Sequence, residues 1–386
     1  MENNPAMNRE RRQTIGWIDL LRTVACLLVV FAHCCDGFVA QFDADRASFL
    51  TGVFAGSLVR PCVPLFVMMT GVLLLPIDRG IPLGGFYRKR IGRLVAPLVF
   101  WSLALPTIAF CYFNFVAPAT QNPLIDPSSY TELSLARRLY TFVFNFNFDS
   151  TPLWYLYMLA GLYLAMPILN SWLVRASRRE IETLLAVWGV SLVLPYVKMA
   201  APLAGYEGNF GNMELLGGCD WNAYGSLYYL SGFVGYLVLA YYLMKYPPAW
   251  SRRKALWIGV PMFVAGYLVT SLGYVATQEH FPGNYAYLEI VWYFSGINVF
   301  MMTFPLFLWF RRMTIAPRPW LARLAAASFG IYLCHYPFVF MAYDLFDRPA
   351  WPYPVRIACM TVATFAACYL IARGMGACRW TRKFVR

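Results

Sequence analysis

Apolar positions along this chain come in long blocks separated by short polar stretches. Ten blocks can be read, at approximately 16–38, 51–75, 92–115, 152–174, 183–203, 223–244, 255–276, 288–310, 322–343 and 352–373. Each is close to the roughly 20 residues that a helix needs to cross the hydrocarbon core of a bilayer. The pattern predicts an all-α integral membrane protein with about ten transmembrane helices. No stretch is left for a separate soluble domain. The chain divides into an N-terminal segment (1–15), a ten-helix membrane domain (16–373) and a basic tail (374–386). No internal repeat is evident, so an inverted-repeat transporter gains no support from this pattern.

The basic residues orient these spans. With the N-terminus in the cytoplasm, the cytoplasmic side carries 24 of the 32 Lys and Arg, the opposite face six, and Arg22 and Arg60 lie inside spans. The positive-inside rule then puts both termini in the cytoplasm, which needs an even number of spans. The outer loops hold most of the acids: Asp36, Asp43, Asp45, Asp126, Glu132, Asp149, Glu207, Glu214, Asp220, Glu279, Asp344 and Asp347. Two of these loops are long. That at about 116–151 contains ARRLYTFVFNFNF and suits a short helix lying in or on the membrane. That at about 204–222 is glycine-rich, acidic and aromatic, and fits either a binder of polar molecules or a spacer.

Composition agrees. The chain is 60% hydrophobic and 13% charged, against about 25% charged in soluble proteins. Aromatics at 18% suit interfacial belts. A net charge of +13 invites a nucleic-acid reading, but one-sided basic loops account for it, so no nucleic-acid partner is expected. The ten cysteines form no CxxC pair, and read as small apolar packers. His33, His280 and His335 have no metal-ligand spacing, so no metal is expected. Arg9, Arg11 and Arg12 before an apolar run resemble a signal peptide. The run contains Asp19 and Arg22 and no A-x-A site follows it, so it reads as a retained first helix.

Charges inside the bilayer are the candidate chemistry. In RTVACLLVVFAH, His33 follows Arg22 by eleven positions, so both lie on one helix face, about 16 Å apart along the axis. Arg22 falls at cytoplasmic depth and His33 in the outer half. Asp19 precedes Arg22 by three residues and Asp36 follows His33 by three, giving each an acidic neighbour. In SLVRPCVPLFVMMTGVLL, Arg60 is followed by Pro61 and Pro64, which interrupt a helix where it lines a cavity. Arg60 then faces a polar cavity or forms a structural ion pair. In YRKRIGRLVAP, Arg90 and Arg93 are helical neighbours near a helix N-terminus. They suit a phosphate-bearing ligand, or topology and lipid headgroups. Cations at one surface and an imidazole deeper in the membrane match a ligand with an anionic head and a long arm ending in a reactive group. Coenzyme A thioesters have that shape.

These segments resemble the acyltransferase-3 family of bacterial integral-membrane acyltransferases. IDLLRTVACLLVVFAH looks like the family's first-helix signature and SLVRPCVPLFVMMTGVLL like its second helix. YRKRIGRLVAP carries its R-x-x-R pattern at Arg90 and Arg93. LWYLYMLAGLYLAMPIL, LSGFVGYLVLAYYL and SFGIYLCHYPF resemble later blocks. The chain is most similar to compact members without an appended soluble domain, including the enterobacterial common antigen type of O-acetyltransferase. The resemblance implies that His33 is the catalytic histidine and that Arg22, Arg90 and Arg93 serve the acyl donor, usually acetyl-CoA. It also makes Arg60 a site residue, and His335 a recurrent position of undefined role. The fourth and fifth spans lack Asp and Glu, so any acidic helper comes from Asp36 or an outer loop.

The expected activity is transfer of an acyl group, acetyl in the first instance, from cytoplasmic acyl-CoA to a hydroxyl of a surface or lipid-linked glycan. The expected location is the outer face of the bacterial inner membrane, among membrane lipids. His33 is general base or transient acyl carrier, Asp36 orients its ring, and Arg60 stabilises the oxyanion. Ten spans with buried charges also fit a transporter or flippase of a glycan or small anion.

Overall fold

A computed structural model describes residues 5–386 apart from 78–79, 145–146, 206–214, 220–221, 223 and 348–349, with side chains from residue 16 onward. Fourteen α-helices follow one another: α1 (Pro5–Val39), α2 (Arg46–Leu58), α3 (Cys62–Leu74), α4 (Leu83–Arg90), α5 (Gly92–Cys111), α6 (Glu132–Thr141), α7 (Trp154–Leu173), α8 (Arg178–Ala200), α9 (Val234–Lys245), α10 (Arg252–His280), α11 (Tyr285–Trp292), α12 (Ile297–Arg311), α13 (Pro319–Phe346) and α14 (Tyr353–Ala377). No strand occurs among the described residues.

Nine segments among the described residues are long and apolar enough to cross a membrane. They correspond to nine of the ten blocks read from the sequence. The exception is 223–244, whose helix is α9, only 12 residues long. At 1.5 Å per residue α9 covers about 18 Å, short of the ~30 Å hydrocarbon core. Its block is split because Ser231 is extended and Gly232 takes φ +74, a left-handed conformation that glycine adopts without penalty. Two other spans are broken. The second block divides at Val59–Pro61 into α2 and α3. Pro61 caps α3 and Pro64 falls in its first turn, where a missing N–H is not needed. The eighth block divides at Tyr293–Gly296 into α11 and α12. There the Asn298 amide donates to the freed Val291 carbonyl at 2.6 Å and to the Thr270 hydroxyl at 2.8 Å. A side chain thus replaces the lost ladder bond, as apolar surroundings require.

The chain packs as two units. The first comprises residues up to Val59, Arg79–Leu164 and Met313–Arg386. Within it α1 packs against α2, α13 and α14, and α13 against α14. Leu21, Ala25, Val30 and Cys34 of α1 are fully enclosed, as are Ile331, Leu333 and Phe340 of α13. The C-terminal turn closes on α5, where Trp101 donates to the Phe384 carbonyl at 2.9 Å and Phe100 stacks on Phe384 at 4.3 Å. The loop at 116–151 contains the short helix α6, whose Leu133 and Tyr140 point outward. A short helix in this loop was expected.

The second unit comprises Arg60–Asp78 and Ala165–Arg312. Here α3 packs on α9, and α10 on α11 and α12. Gly71 of α3 lies against the Leu237 carbonyl of α9, where a Cβ would come within 2.8 Å. Such contact between a small residue and a facing backbone is how membrane helices approach closely. Along α10, Leu256, Val260, Val264, Leu268 and Leu272 all face outward. A continuous apolar stripe of this kind is stable only against lipid or another apolar surface. The ten cysteines are thiols, and seven of them, Cys34 and Cys35 included, are buried.

Candidate functional site

The first unit brings an imidazole pair together from opposite ends of the sequence. His33 lies in the last third of α1, and Asp36 is one helical turn further on. His33 Nδ1 is 2.8 Å from Asp36 Oδ2, and their side chains keep 23% and 27% of their surface exposed. A carboxylate only accepts, so Nδ1 carries the proton. In the neutral ring the lone pair is therefore on Nε2. His335 of α13 is completely buried. Its Nδ1–H donates to the Tyr332 carbonyl at 2.6 Å, and its Nε2 has no hydrogen-bond partner among the described residues. The two imidazole centroids are 5.2 Å apart, tilted by 38°. Tyr336, next in sequence, meets His33 edge-on at 5.2 Å and 79°. The shared face of α1 and α13 creates this cluster, so His335, a candidate by resemblance alone, adjoins His33 in space.

A wall of aromatic residues continues from this cluster. Phe148 meets Tyr336 at 5.7 Å and stacks on Phe340 at 5.9 Å. The Tyr332 hydroxyl donates to the Pro152 carbonyl, and so ties α13 to the 148–153 turn. Behind the wall Asp149 is 1% exposed. It accepts from the Tyr130 hydroxyl at 2.7 Å and from Arg138 Nη1 at 2.5 Å. The Arg138 guanidinium also lies 4.7 Å from the Tyr130 ring centroid. A carboxylate buried like this persists only when paired and hydrogen-bonded. Sequence reasoning noted Asp149 only as an outer acid and missed Tyr130 and Arg138. Nothing in their sequence separations signals that they meet.

At the other end of α1, Asp19 and Arg22 are half-buried and within electrostatic reach of each other. Arg90 closes α4 and Arg93 lies in the first turn of α5. The backbone stays helical through Ile91 (φ −69, ψ −43), so the two remain helical neighbours. Arg90 therefore sits in the last turn of a helix, not near an N-terminus as the sequence suggested, and the dipole of α4 favours its positive charge there. Its Nε is buried with no partner among the described residues. Arg22, Arg90 and Arg93 all act electrostatically on Tyr163 of α7. Tyr87 of α4 donates to the Leu164 carbonyl at 3.0 Å, which fixes α4 against that part of α7. Three arginines predicted to serve one ligand thus lie within electrostatic reach of one tyrosine, a residue with no sequence signal of its own.

Arg60 belongs to the second unit, at the break before α3. Its guanidinium lies 3.7 Å from the Trp292 ring centroid and 5.6 Å from that of Phe294. Aromatic faces, favourable partners for a guanidinium, therefore cover at least one side of it. Of the loop at 204–222, residues 206–214, 220 and 221 lie outside the described residues. With them go Glu207, Glu214, Asp220 and the polar-binding reading of that loop. Among the described residues no group of three or more His, Cys, Asp or Glu could hold a metal ion.

A family model described as an acyltransferase domain matches residues 15–373, nearly the whole chain. No curated protein and no solved structure matches it. The family match covers the first-helix histidine, the basic pair at α4–α5 and the α13 imidazole alike. The chain belongs to the acyltransferase-3 family of membrane acyltransferases.

Proposed function

We propose that this acyltransferase moves an acetyl group from cytoplasmic acetyl-CoA to a hydroxyl of a surface or lipid-linked glycan at the outer face of the bacterial cytoplasmic membrane. The observation that carries the reading is the 2.8 Å contact between His33 Nδ1 and Asp36 Oδ2. It fixes the ring and leaves Nε2 as a base, the arrangement that acyl transfer to oxygen requires. Arg22, Arg90 and Arg93, all within electrostatic reach of Tyr163, supply cations for the phosphates of the donor. His33 lies about 16 Å further along α1 than Arg22, a separation that a pantetheine arm suits.

In this mechanism His33 Nε2 takes the proton of the acceptor hydroxyl as its oxygen attacks the thioester carbonyl. The tetrahedral intermediate collapses with cleavage of the carbon–sulfur bond. The departing thiolate recovers the proton from the imidazolium, whose charge Asp36 offsets.

Membrane vesicles given labelled acetyl-CoA and a crude glycan acceptor test the proposal. Label reaches the acceptor with the native chain, and falls by at least about 10²-fold with His33→Ala at equal protein abundance. Equal labelling by both removes His33 from the chemistry. Movement of glycan without any donor identifies a transporter instead. Arg90→Ala raises the donor KM, and an unchanged value removes Arg90 from the donor site.

A further inference from the structure

The aromatic wall beside His33 ends at a side chain that packing does not explain. Phe148 is 44% exposed. One ring face is stacked against Phe340 at an interplanar angle of 15°, so part of the remaining ring surface is exposed. Only Tyr336 stands between Phe148 and His33, through contacts of 5.7 Å and 5.2 Å.

The turn that presents Phe148 is held rigidly. The Asn147 N–H donates to the Ser150 hydroxyl at 3.1 Å, and that hydroxyl donates to the Asn147 carbonyl at 3.0 Å. The next side chain, Asp149, is anchored by Tyr130 and Arg138. The Asn147 side chain adds a second observation. Its Nδ2 is buried and has no hydrogen-bond partner among the described residues. An amide donor left without a partner is costly unless something else supplies an acceptor.

We infer that Asn147 and Phe148 form the acceptor subsite, which takes the ring of a pyranose sugar. The C–H face of the sugar lies on the exposed part of the Phe148 ring and a ring substituent oxygen accepts from Asn147 Nδ2. A neighbouring hydroxyl is then turned along the wall toward His33. This rests on the acyltransferase reading above and adds the class of acceptor and the residues that select it. A lipid-facing phenylalanine explains less, because an acyl chain has no use for an amide donor or for a turn fixed by a buried ion pair. Tyr140 and Phe144, which are far more exposed than Phe148, show what an outward-facing ring in this region looks like.

The test uses the solubilised full-length protein, saturating labelled acetyl-CoA, and two kinds of probe: methyl hexopyranosides and the acyclic polyol sorbitol. At least one pyranoside is acylated in preference to sorbitol. Phe148→Ala raises the pyranoside KM by on the order of 10-fold, the size of one lost ring contact, with donor KM unchanged. Phe148→Trp keeps the native value, and Asn147→Ala raises the pyranoside KM as Phe148→Ala does. Calorimetric titration of the pyranoside reads binding apart from turnover. Pyranoside binding that depends on Phe148 without any acyl transfer upholds the subsite and sinks the acyltransfer reading. Acyl transfer with Phe148→Ala indistinguishable from native does the reverse. A donor KM that rises by the same factor, or a preference for sorbitol, also overturns the subsite.

Discussion

Asp36 commits one nitrogen of His33 and so decides what the other can do. With Nδ1–H engaged at 2.8 Å, Nε2 keeps its lone pair and the ring cannot rotate freely. Asp36→Asn preserves the shape but offers an amide that can donate, which favours the other tautomer. By analogy with carboxylates that orient a catalytic imidazole, kcat falls by on the order of 10²–10⁴-fold with donor KM nearly unchanged. Steady-state kinetics at saturating donor check this, and a loss confined to KM would remove the orienting role. The i,i+3 spacing of His33 and Asp36 is visible in one helix of the sequence, and so was their pairing. His335, Tyr336 and Tyr163 were not legible as partners, because each contact joins helices separated by long stretches of chain. Only packing brings them together. Arg60 was legible as an unusual intramembrane charge, but its Trp292 partner was not.

Whole helices were the most legible feature, since hydrophobic length alone specifies a span. Interruptions were read only where proline announced them, at Pro61 and Pro64. The breaks at Gly232 and Tyr293–Gly296 escaped, because glycine is also common inside membrane helices. Hydrogen bonds make these two breaks tolerable: Asn298 donates to the Val291 carbonyl and Trp188 Nε1 to the Gly232 carbonyl at 2.8 Å. Helix caps are local and can be tested directly. Asp45 caps α2 through Ala47 and Ser48 N–H groups, both at 3.0 Å. The Tyr353 hydroxyl, and then the Ser48 N–H, hold its carboxyl below the usual carboxylate range. A lowered value in the folded state means that the stabilisation is present above the unfolded carboxylate pKa and is lost as pH falls through the folded one. Asp45→Ala therefore costs about 1 kcal/mol at neutral pH. The difference in thermal unfolding between variant and native protein shrinks in acid. A gap that stays constant with pH would exclude the carboxylate as its source.

At the scale of the whole molecule, the distribution of Lys and Arg predicts which ends face the cytoplasm, and two exposed cysteines can report on it. Cys111 ends α5, on the outer side in this orientation, and Cys378 follows α14, on a side that is cytoplasmic when 223–244 makes a tenth crossing and outer when only the nine long segments cross. The Trp380 N–H first, and then the Thr381 hydroxyl, lower the Cys378 thiol from its ordinary value, so it alkylates at lower pH than an unperturbed thiol. An impermeant maleimide labels Cys111 in intact cells; labelling of Cys378 only after the membrane is opened supports ten crossings, and its labelling in intact cells supports nine. Cys111 labelled only after opening would invert the topology and put the His33 end of α1 in the cytoplasm.

Sequence by itself determined that this is a multi-pass helical membrane protein, that it carries charges where lipid penalises them, and which family it belongs to. Hydrophobic length and short-range helical spacing are local properties, and a linear chain displays them fully. The tertiary structure decided the surroundings of those charges. It set His335 and Tyr336 beside His33, brought three arginines within electrostatic reach of Tyr163, buried Asp149 between Tyr130 and Arg138, and left Phe148 partly exposed. Such contacts depend on which helix faces meet, and that is settled by packing between segments far apart in the chain.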